Sequence, residues 1–330
     1  MRKFFFLLSI FYISLGISRT LCLAKEKVYF CHRLVKKPLL DGKVRNDPGW
    51  ENVSEATGFV KLGTTSLSSK QTSFKIGYSG EGIYIGIECE EPEIEKVKAR
   101  QKDMEGLWNE DSIEIFIFPE GTDNYYQFVV NTIGSRWGGA GKSRPLAPLS
   151  LDWDAYTCKG KDYWSAEIRI PFEIFEKIPE KDEIWTGNIC RNIYTSGDKH
   201  SSWAPLKKGF HEPGNWGKIV FKDALLPEEV ARIEKNLIKK YLRKKTKKVE
   251  NLISNWEKED PLFFKKIKKN LQSYLVEWEK AKKEFSNLDS LPPQEIHKLL
   301  EIVRKFADLQ PYIDKLRAEF IHENLFSEEE

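Results

Sequence analysis

Residues 112–118 alternate strictly: Ile113, Ile115 and Ile117 share one face, and Ser112, Glu114 and Phe116 share the other. A period of two with β-branched residues predicts a strand of a sheet with one face on a core. The same alternation recurs at 83–89, where Ile83, Ile85 and Ile87 face one way. Residues 71–78 and 83–89 flank Ser79-Gly80-Glu81-Gly82, which predicts a hairpin. Further strands are expected at 28–35, 59–62, 125–132, 152–157, 163–170, 185–194, 200–204 and 216–221. About ten strands at hairpin spacing, without a βαβ rhythm, predict an antiparallel all-β sandwich. Two stretches break the pattern: 90–100 is charged, with Ile94 and Val97 at helical spacing, and 134–141 is rich in glycine around Arg136 and Trp137.

Past Asp223 the period changes. Glycine is absent after Gly217, Lys and Glu dominate, and apolar residues return every three or four positions. Val230, Ile233, Leu237 and Tyr241 mark a first helix, opened by Leu226-Pro227-Glu228-Glu229. Phe264, Ile267, Leu271, Tyr274, Leu275 and Trp278 mark a second after Pro261. Ile296, Leu299, Leu300, Val303, Phe306 and Tyr312 mark a third after Pro292-Pro293. Three amphipathic helices can bundle or self-associate. The expected organisation is a leader at 1–24, a sandwich at 25–222 and a helical domain at 223–330.

The leader expectation rests on Arg2 and Lys3, the apolar run 4–17, and the small residues of Cys22-Leu23-Ala24 ahead of Lys25. The run is shorter than the roughly 20 residues of a membrane span, and no comparable run follows. The mature protein is therefore expected to be exported, periplasmic or extracellular, without a membrane anchor. A net charge of +3 in 330 residues gives no reason to expect nucleic acid. The basic run 239–248 reads as a solvated helix face. Export permits disulfides among Cys31, Cys89, Cys158 and Cys190, and buried free thiols are an equal alternative.

The candidate chemistry begins at Trp108. It stands in a polar turn, followed by Asn109, Glu110 and Asp111, directly before the strand that carries Glu114. An aromatic ring beside a carboxylate is how a sugar-stacking platform is built, the ring taking the C–H face of a pyranose and the carboxylate its hydroxyls. Alternatively Trp108 folds onto the core and Asp111 makes a turn bond. The chain holds ten tryptophans, eight of them between Trp50 and Trp216, as either a heavily aromatic core or a stacking site would require.

A set of short motifs then falls in one order: Leu40-Asp41-Gly42, Asp47-Pro48-x-Trp50, Ile83-Tyr84-Ile85-Gly86, Trp108-x-x-Asp111-Ser112-x-Glu114-Ile115-Phe116, and Tyr126-Gln127-Phe128 through Asn131 and Gly134. Trp164-x-x-Glu167-Ile168-x-Ile170-Pro171-Phe172, Asn188-x-x-Arg191, Ser202-Trp203 and Gly217-x-Ile219 complete it. In this order the motifs resemble the family 9 carbohydrate-binding modules and their relatives, across residues 28–222. The resemblance implies a sandwich that holds the end of a poly- or oligosaccharide between two tryptophans, often with structural calcium. Carried onto this sequence it implies Trp108 as the first platform, Glu114 as the hydroxyl-binding carboxylate, and Arg136 near a binding arginine. Trp203 is the expected second platform, with Trp216 and Trp137 as rivals; Gln127, Asn131 and Arg191 are further candidates. Asp111, Asp123, Asp152 and Asp154 are available to calcium, without a spacing that defines a site. The sequence thus reads as a non-catalytic binding protein, since no second carboxylate is nominated to work with Glu114 across a cleft. Haem-binding relatives of the sandwich keep an electron-transfer alternative open, with Met104, His32, His200 and His211 as axial candidates. A structural or adaptor role is the third reading.

Overall fold

The computed structural model describes residues 26–100, 102–259, 261–270, 272–285 and 310–325, with isolated residues between 287 and 304. The expected leader, residues 1–24, lies outside them, as does most of the expected third helix. Among the described residues fourteen strands follow in order: β1 Val28–Arg33, β2 Glu55–Ala56, β3 Val60–Lys61, β4 Thr72–Ser79, β5 Gly82–Glu90, β6 Ser112–Phe118 and β7 Tyr125–Asn131. The remainder are β8 Arg136–Gly141, β9 Ala147–Pro148, β10 Asp154–Lys159, β11 Tyr163–Ile170, β12 Ile184–Asn192, β13 His200–Ser202 and β14 Gly217–Phe221. A short helix α1, Phe172–Phe175, follows Pro171. The C-terminal part carries α2 Pro227–Glu259, α3 Pro261–Asn270, α4 Gln272–Phe285 and α5 Gln310–Leu325. No helix among the described residues is long and apolar enough to cross a membrane.

The strands run in the order β10-β11-β5-β4-β1-β14-β12-β6-β7-β8-β9, curled so that two halves face each other. The expectation of an all-antiparallel sheet fails at β1. Its first residues, Val28 to Cys31, pair parallel with β14, and His32 and Arg33 pair parallel with β4. One strand therefore belongs to both halves, and the sheet is mixed. A parallel pair needs no hairpin, and so leaves no turn signal in the sequence. The glycine-rich stretch is also more than a loop: β8 pairs antiparallel with β7 along its length.

Between the halves lies the core. Ile83, Ile85 and Ile87 of β5 face Ile113, Ile115 and Ile117 of β6, together with Trp153, Trp164, Trp185 and Trp203, all buried. Most of the tryptophan excess is thus spent on packing. A polar knot lies at mid-strand on the outer face of β11. The buried Glu167 carboxylate accepts from the Asp41 and Gly42 amides at 3.0 and 2.9 Å and from Trp50 Nε1 at 2.8 Å. Gly42 has φ +85°, and a Cβ there would meet the Thr157 backbone at 2.5 Å, so only glycine brings its amide to Glu167. Three motifs far apart in sequence are one structural feature.

The helical part is not separate from the sandwich at Asp223. Leu225 and Ile233 are buried in the sandwich core cluster, with Val230 and Leu237 against it. Glu229 bonds Arg33 and the Gly80 amide, and Asn236 bonds Glu173. The first turns of α2 therefore complete the core. The expected second helix is helical over its described residues, α3 and α4.

Candidate functional site

The face of β6 opposite the core is determined by register. Glu114 lies opposite Val129 of β7 and Cys190 of β12; Gln127 and Asn192 are its diagonal neighbours on either side, and Trp137 of β8 lies opposite Val129. His200 of β13 lies opposite Asn192. Five strands, β13-β12-β6-β7-β8, therefore contribute Glu114, Gln127, Asn192, Trp137 and His200 to one surface, about 19 Å wide at the usual strand spacing. These side chains line a cleft of about 620 Å³, walled also by Trp108, Tyr194, Arg144, Phe210 and His211.

At its floor stands Glu114, buried at 4% exposure. Gln127 Nε2 donates to one of its oxygens at 2.6 Å, and Asn192 Nδ2 to the other at 2.7 Å. Burial pushes its carboxyl up to about 7, against the pull of the Asn192 and Gln127 amides and the positive Arg144 at the rim. Asn192 Nδ2 also reaches Ser112 Oγ at 3.1 Å, and Asn192 Oδ1 lies 2.9 Å from His200 Nδ1. With Nδ2 engaged on Glu114, Oδ1 must accept, so His200 carries its proton on Nδ1. Burial, then the charge of Lys199, lowers the His200 pKa, leaving Nε2 an acceptor at neutral pH. His211 is held down at about 4, by burial first and Arg144 second, and its Nδ1 lies 2.8 Å from Tyr125 Oη.

Two aromatic groups flank this floor. Trp108 and Trp137 meet edge to face, with centroids 5.4 Å apart and planes at 80°. The Trp137 indole lies along β8 across Gly139, where a Cβ would come within 2.5 Å of the ring. Trp108 is only partly buried, on a single 3₁₀ turn whose Trp108 carbonyl accepts from Tyr194 Oη at 3.1 Å. On the other side Phe210 stands edge-on to His200 at 5.7 Å, and the Phe210 carbonyl accepts from Trp216 Nε1.

The structure brings Trp108, Glu114 and Gln127 together and keeps the other expected residues elsewhere. Trp203, expected as the second platform, is 4% exposed in the core, edge-on to Phe74 at 5.2 Å. Arg191 faces the core side of β12, where it bonds Glu91, Glu90 and Gln71. Arg136 donates to the Trp153 carbonyl. Asn131 Oδ1 accepts from the Ile133 and Ser135 amides and so holds the β7–β8 turn. In each case a polar or aromatic side chain in a motif position serves the fold. Of the rival tryptophans, Trp137 lines the cleft, while Trp216 packs beneath it against Phe116 and Tyr125.

The aspartates considered for calcium do not converge. Asp111 accepts from the Lys98 and Tyr194 amides, Asp123 pairs with Lys142, Asp152 accepts from Ser150, and Asp154 pairs with Arg169. No cluster of three or more His, Cys, Asp or Glu among the described residues is arranged to hold a metal. Of the haem candidates, His200 and His211 line the cleft, His32 pairs with Asp223, and Met104 is exposed. Among the described residues Cys31, Cys89, Cys158 and Cys190 are free thiols, all but Cys158 buried.

Sequence reasoning missed Asn192, Tyr194, Arg144 and Phe210, and weighed His200 and His211 only as haem ligands. Asn192 was within reach: if Trp185, Ile189 and Arg191 face inward, Asn188, Cys190 and Asn192 face outward on the same strand. Its pairing with Glu114 was not, because β6 and β12 are about seventy residues apart.

The sandwich-like β domain thus carries a polar and aromatic cleft on one outer face. Residues 64–221 match the model of carbohydrate-binding family 9, and the β domain is a family 9-like sandwich; the helical part is assigned to no family. A structure from Bacteroides uniformis, provisionally described as a carbohydrate-binding protein, is similar at 19% identity and TM-score 0.51, covering 60% of this chain and all of that one. A family 9 module of Caldicellulosiruptor kristjanssonii in complex with glucose gives 18% identity and TM-score 0.44, over 59% of this chain and 96% of that one. The same organism's module with cellotriose gives 19% and 0.45, over 61% and 98%. No curated protein matches the chain.

Proposed function

We propose that the protein binds a saccharide in the Glu114 cleft and performs no chemistry on it. The observation that carries this reading is the state of Glu114: a buried carboxylate with each oxygen engaged by one amide and lone-pair capacity left on both. Such a group accepts hydroxyl protons in fixed directions, and a hydrogen bond to its ionised form is stronger than a neutral one. His200 Nε2 and the Asn109 amide at the rim add polar contacts of other geometry. Trp108 offers a partly exposed ring to a sugar face, and Phe210, rather than Trp203, stands on the opposite wall. The cleft volume suits a small oligosaccharide. The match of residues 64–221 to the family 9 model supports the ligand class. Export belongs to the same proposal, because the leader-like segment would place the cleft where polysaccharide is found; N-terminal sequencing of protein recovered outside the cytoplasm, starting at Lys25, tests it.

The reading is tested with a glycan array spanning hexoses and oligosaccharides, run on the full chain and on Trp108→Ala. Binding to a defined set of glycans that is lost in Trp108→Ala supports it. A blank array from folded protein overturns it.

A further inference from the structure

Behind the cleft lies a second polar cluster that the saccharide site does not use. Lys70 is 8% exposed and Glu91 fully buried. The Lys70 ammonium has four oxygens around it: Glu91 Oε1 at 2.6 Å, Thr195 Oγ1 at 2.8 Å, and Glu93 Oε2 and the Thr195 carbonyl, each at 3.4 Å. The second Glu91 oxygen accepts from Thr195 Oγ1 at 2.8 Å and from Arg191 Nη2 at 3.1 Å. Two carboxylates, one hydroxyl and one main-chain carbonyl are the donor types of a hard-cation site. Here their centre is filled by the end of a side chain. Glu91 and Glu93 face Lys70 and Arg191, and Glu93 is also paired with the exposed Lys96.

The cluster also has an architectural consequence. Residues 193–199 form the strap between β12 and β13. Lys70 and Glu91 hold it at Thr195, and Lys61 and Ser69 hold it at Asp198. On its other side Tyr194 is bound to Asp111 and Trp108. The strap delivers Tyr194 to the cleft wall and leads into His200.

We propose that the Lys70 ammonium is a tethered cation: it occupies an oxygen cage that would otherwise require a metal ion, and so fixes the strap behind the cleft without one. Without Lys70, buried Glu91 keeps Arg191 on one oxygen and loses the cation on the other, and breaking a buried ion pair is strongly destabilising. Replacing a bound ion by a lysine makes the neutralising charge part of the chain, independent of ion concentration. The inference rests on the saccharide reading only for the consequence at the cleft, and its test uses no sugar.

Thermal unfolding of the full chain is measured with a chelator and with 10 mM Ca²⁺, for the native protein and for Lys70→Ala. The native Tm should be the same in both. Lys70→Ala should unfold on the order of 10 °C lower in chelator and recover several degrees in Ca²⁺, whose hard-oxygen ligands the cage supplies. If Lys70→Ala does not fold in chelator, refolding yield with and without Ca²⁺ is the readout, and recovery only with Ca²⁺ supports the proposal. Lys70→Ala/Glu93→Gln, with one carboxylate removed, should lose part of the Ca²⁺ response. A native protein destabilised by chelator overturns the proposal, as does Lys70→Ala that matches the native Tm or is destabilised without any response to Ca²⁺.

Discussion

The two faces of β6 are both buried, and by opposite means. Toward the other half of the sheet, Ile113, Ile115 and Ile117 are covered by apolar side chains, and their stabilisation scales with area removed from water. On the reverse, Ser112, Glu114 and Phe116 are as inaccessible, but Glu114 is tolerated there only because amides from both flanking strands reach it. A non-directional face absorbs substitution by volume. A hydrogen-bonded face depends on each partner, since an orphaned buried polar atom carries its full desolvation cost. The polar face holds a carboxyl pushed up to about 7, and so partly protonated at pH 7, where water alone would leave it charged.

The largest effect should come from the core side. Trp203→Ala should cost roughly 3–5 kcal/mol in stability by chemical denaturation, while the protein that remains folded keeps its glycan affinity. A specific loss of affinity with unchanged stability would return Trp203 to the binding site.

Next comes the pH dependence of Glu114. Its folded pKa is raised above the ordinary carboxylate value to about 7, so the folded state holds the proton more tightly than the unfolded chain. The resulting stability is fully present below about pH 4.5 and is lost as pH rises through 7. Over that window native stability should fall relative to Glu114→Gln by on the order of 3 kcal/mol. A stability difference independent of pH between 4.5 and 8 would contradict the raised pKa of the buried carboxyl. His211, held down at about 4, acts in the opposite sense: its contribution is present above pH 6.5 and lost as pH falls toward 4. The comparison should therefore be repeated in a His211→Phe background.

Asn192→Ala strips one donor from Glu114 and the acceptor from His200, and should cost about 1–3 kcal/mol together with glycan affinity. Asn192→Asp restores the shape but sets a second carboxylate beside Glu114, raising the midpoint of any pH-dependent binding. An alanine variant with native affinity would show that the amide is not needed to orient Glu114.

The smallest stability effect is expected for Trp108→Ala. Its ring is partly exposed and touches chiefly Trp137, so the loss should stay near 1 kcal/mol, within the range of an aromatic pair. Binding should nevertheless fall at least tenfold by calorimetry. A cost as large as that of Trp203→Ala would make Trp108 a core residue.

The helical region sharpens the contrast from another side. Leu225 and Ile233 sit in the sandwich core, so a chain ending at Asp223 should be less stable than one ending at Glu259.

What was legible in the sequence was local. The period of two placed β6 and its Ile face, Gly80-Glu81 placed the β4–β5 hairpin, and the loss of glycine with a 3.6-residue period placed α2 and the helical stretch after Pro261. Trp108 and Glu114 could be named from one turn and the alternation of the strand after it, whereas Gln127 came only from its motif position in the family resemblance. Beyond that range alternation was ambiguous. Arg191 and Asn192 are neighbours, yet one neutralises a buried glutamate behind the sheet and the other orients Glu114 in front of it. Only the position of β12 between β14 and β6 decides which does which. Trp203 and Trp137 differ in the same manner: both are tryptophans beside small residues, and the tertiary structure alone sends one into the core and the other across Gly139 into the cleft. The parallel pairing of β1, the docking of α2 and the oxygen cage around Lys70 likewise join segments remote in sequence. Hydrophobic period is a property of a few adjacent residues, whereas a site is made by register between strands, and register is set by how the whole core closes.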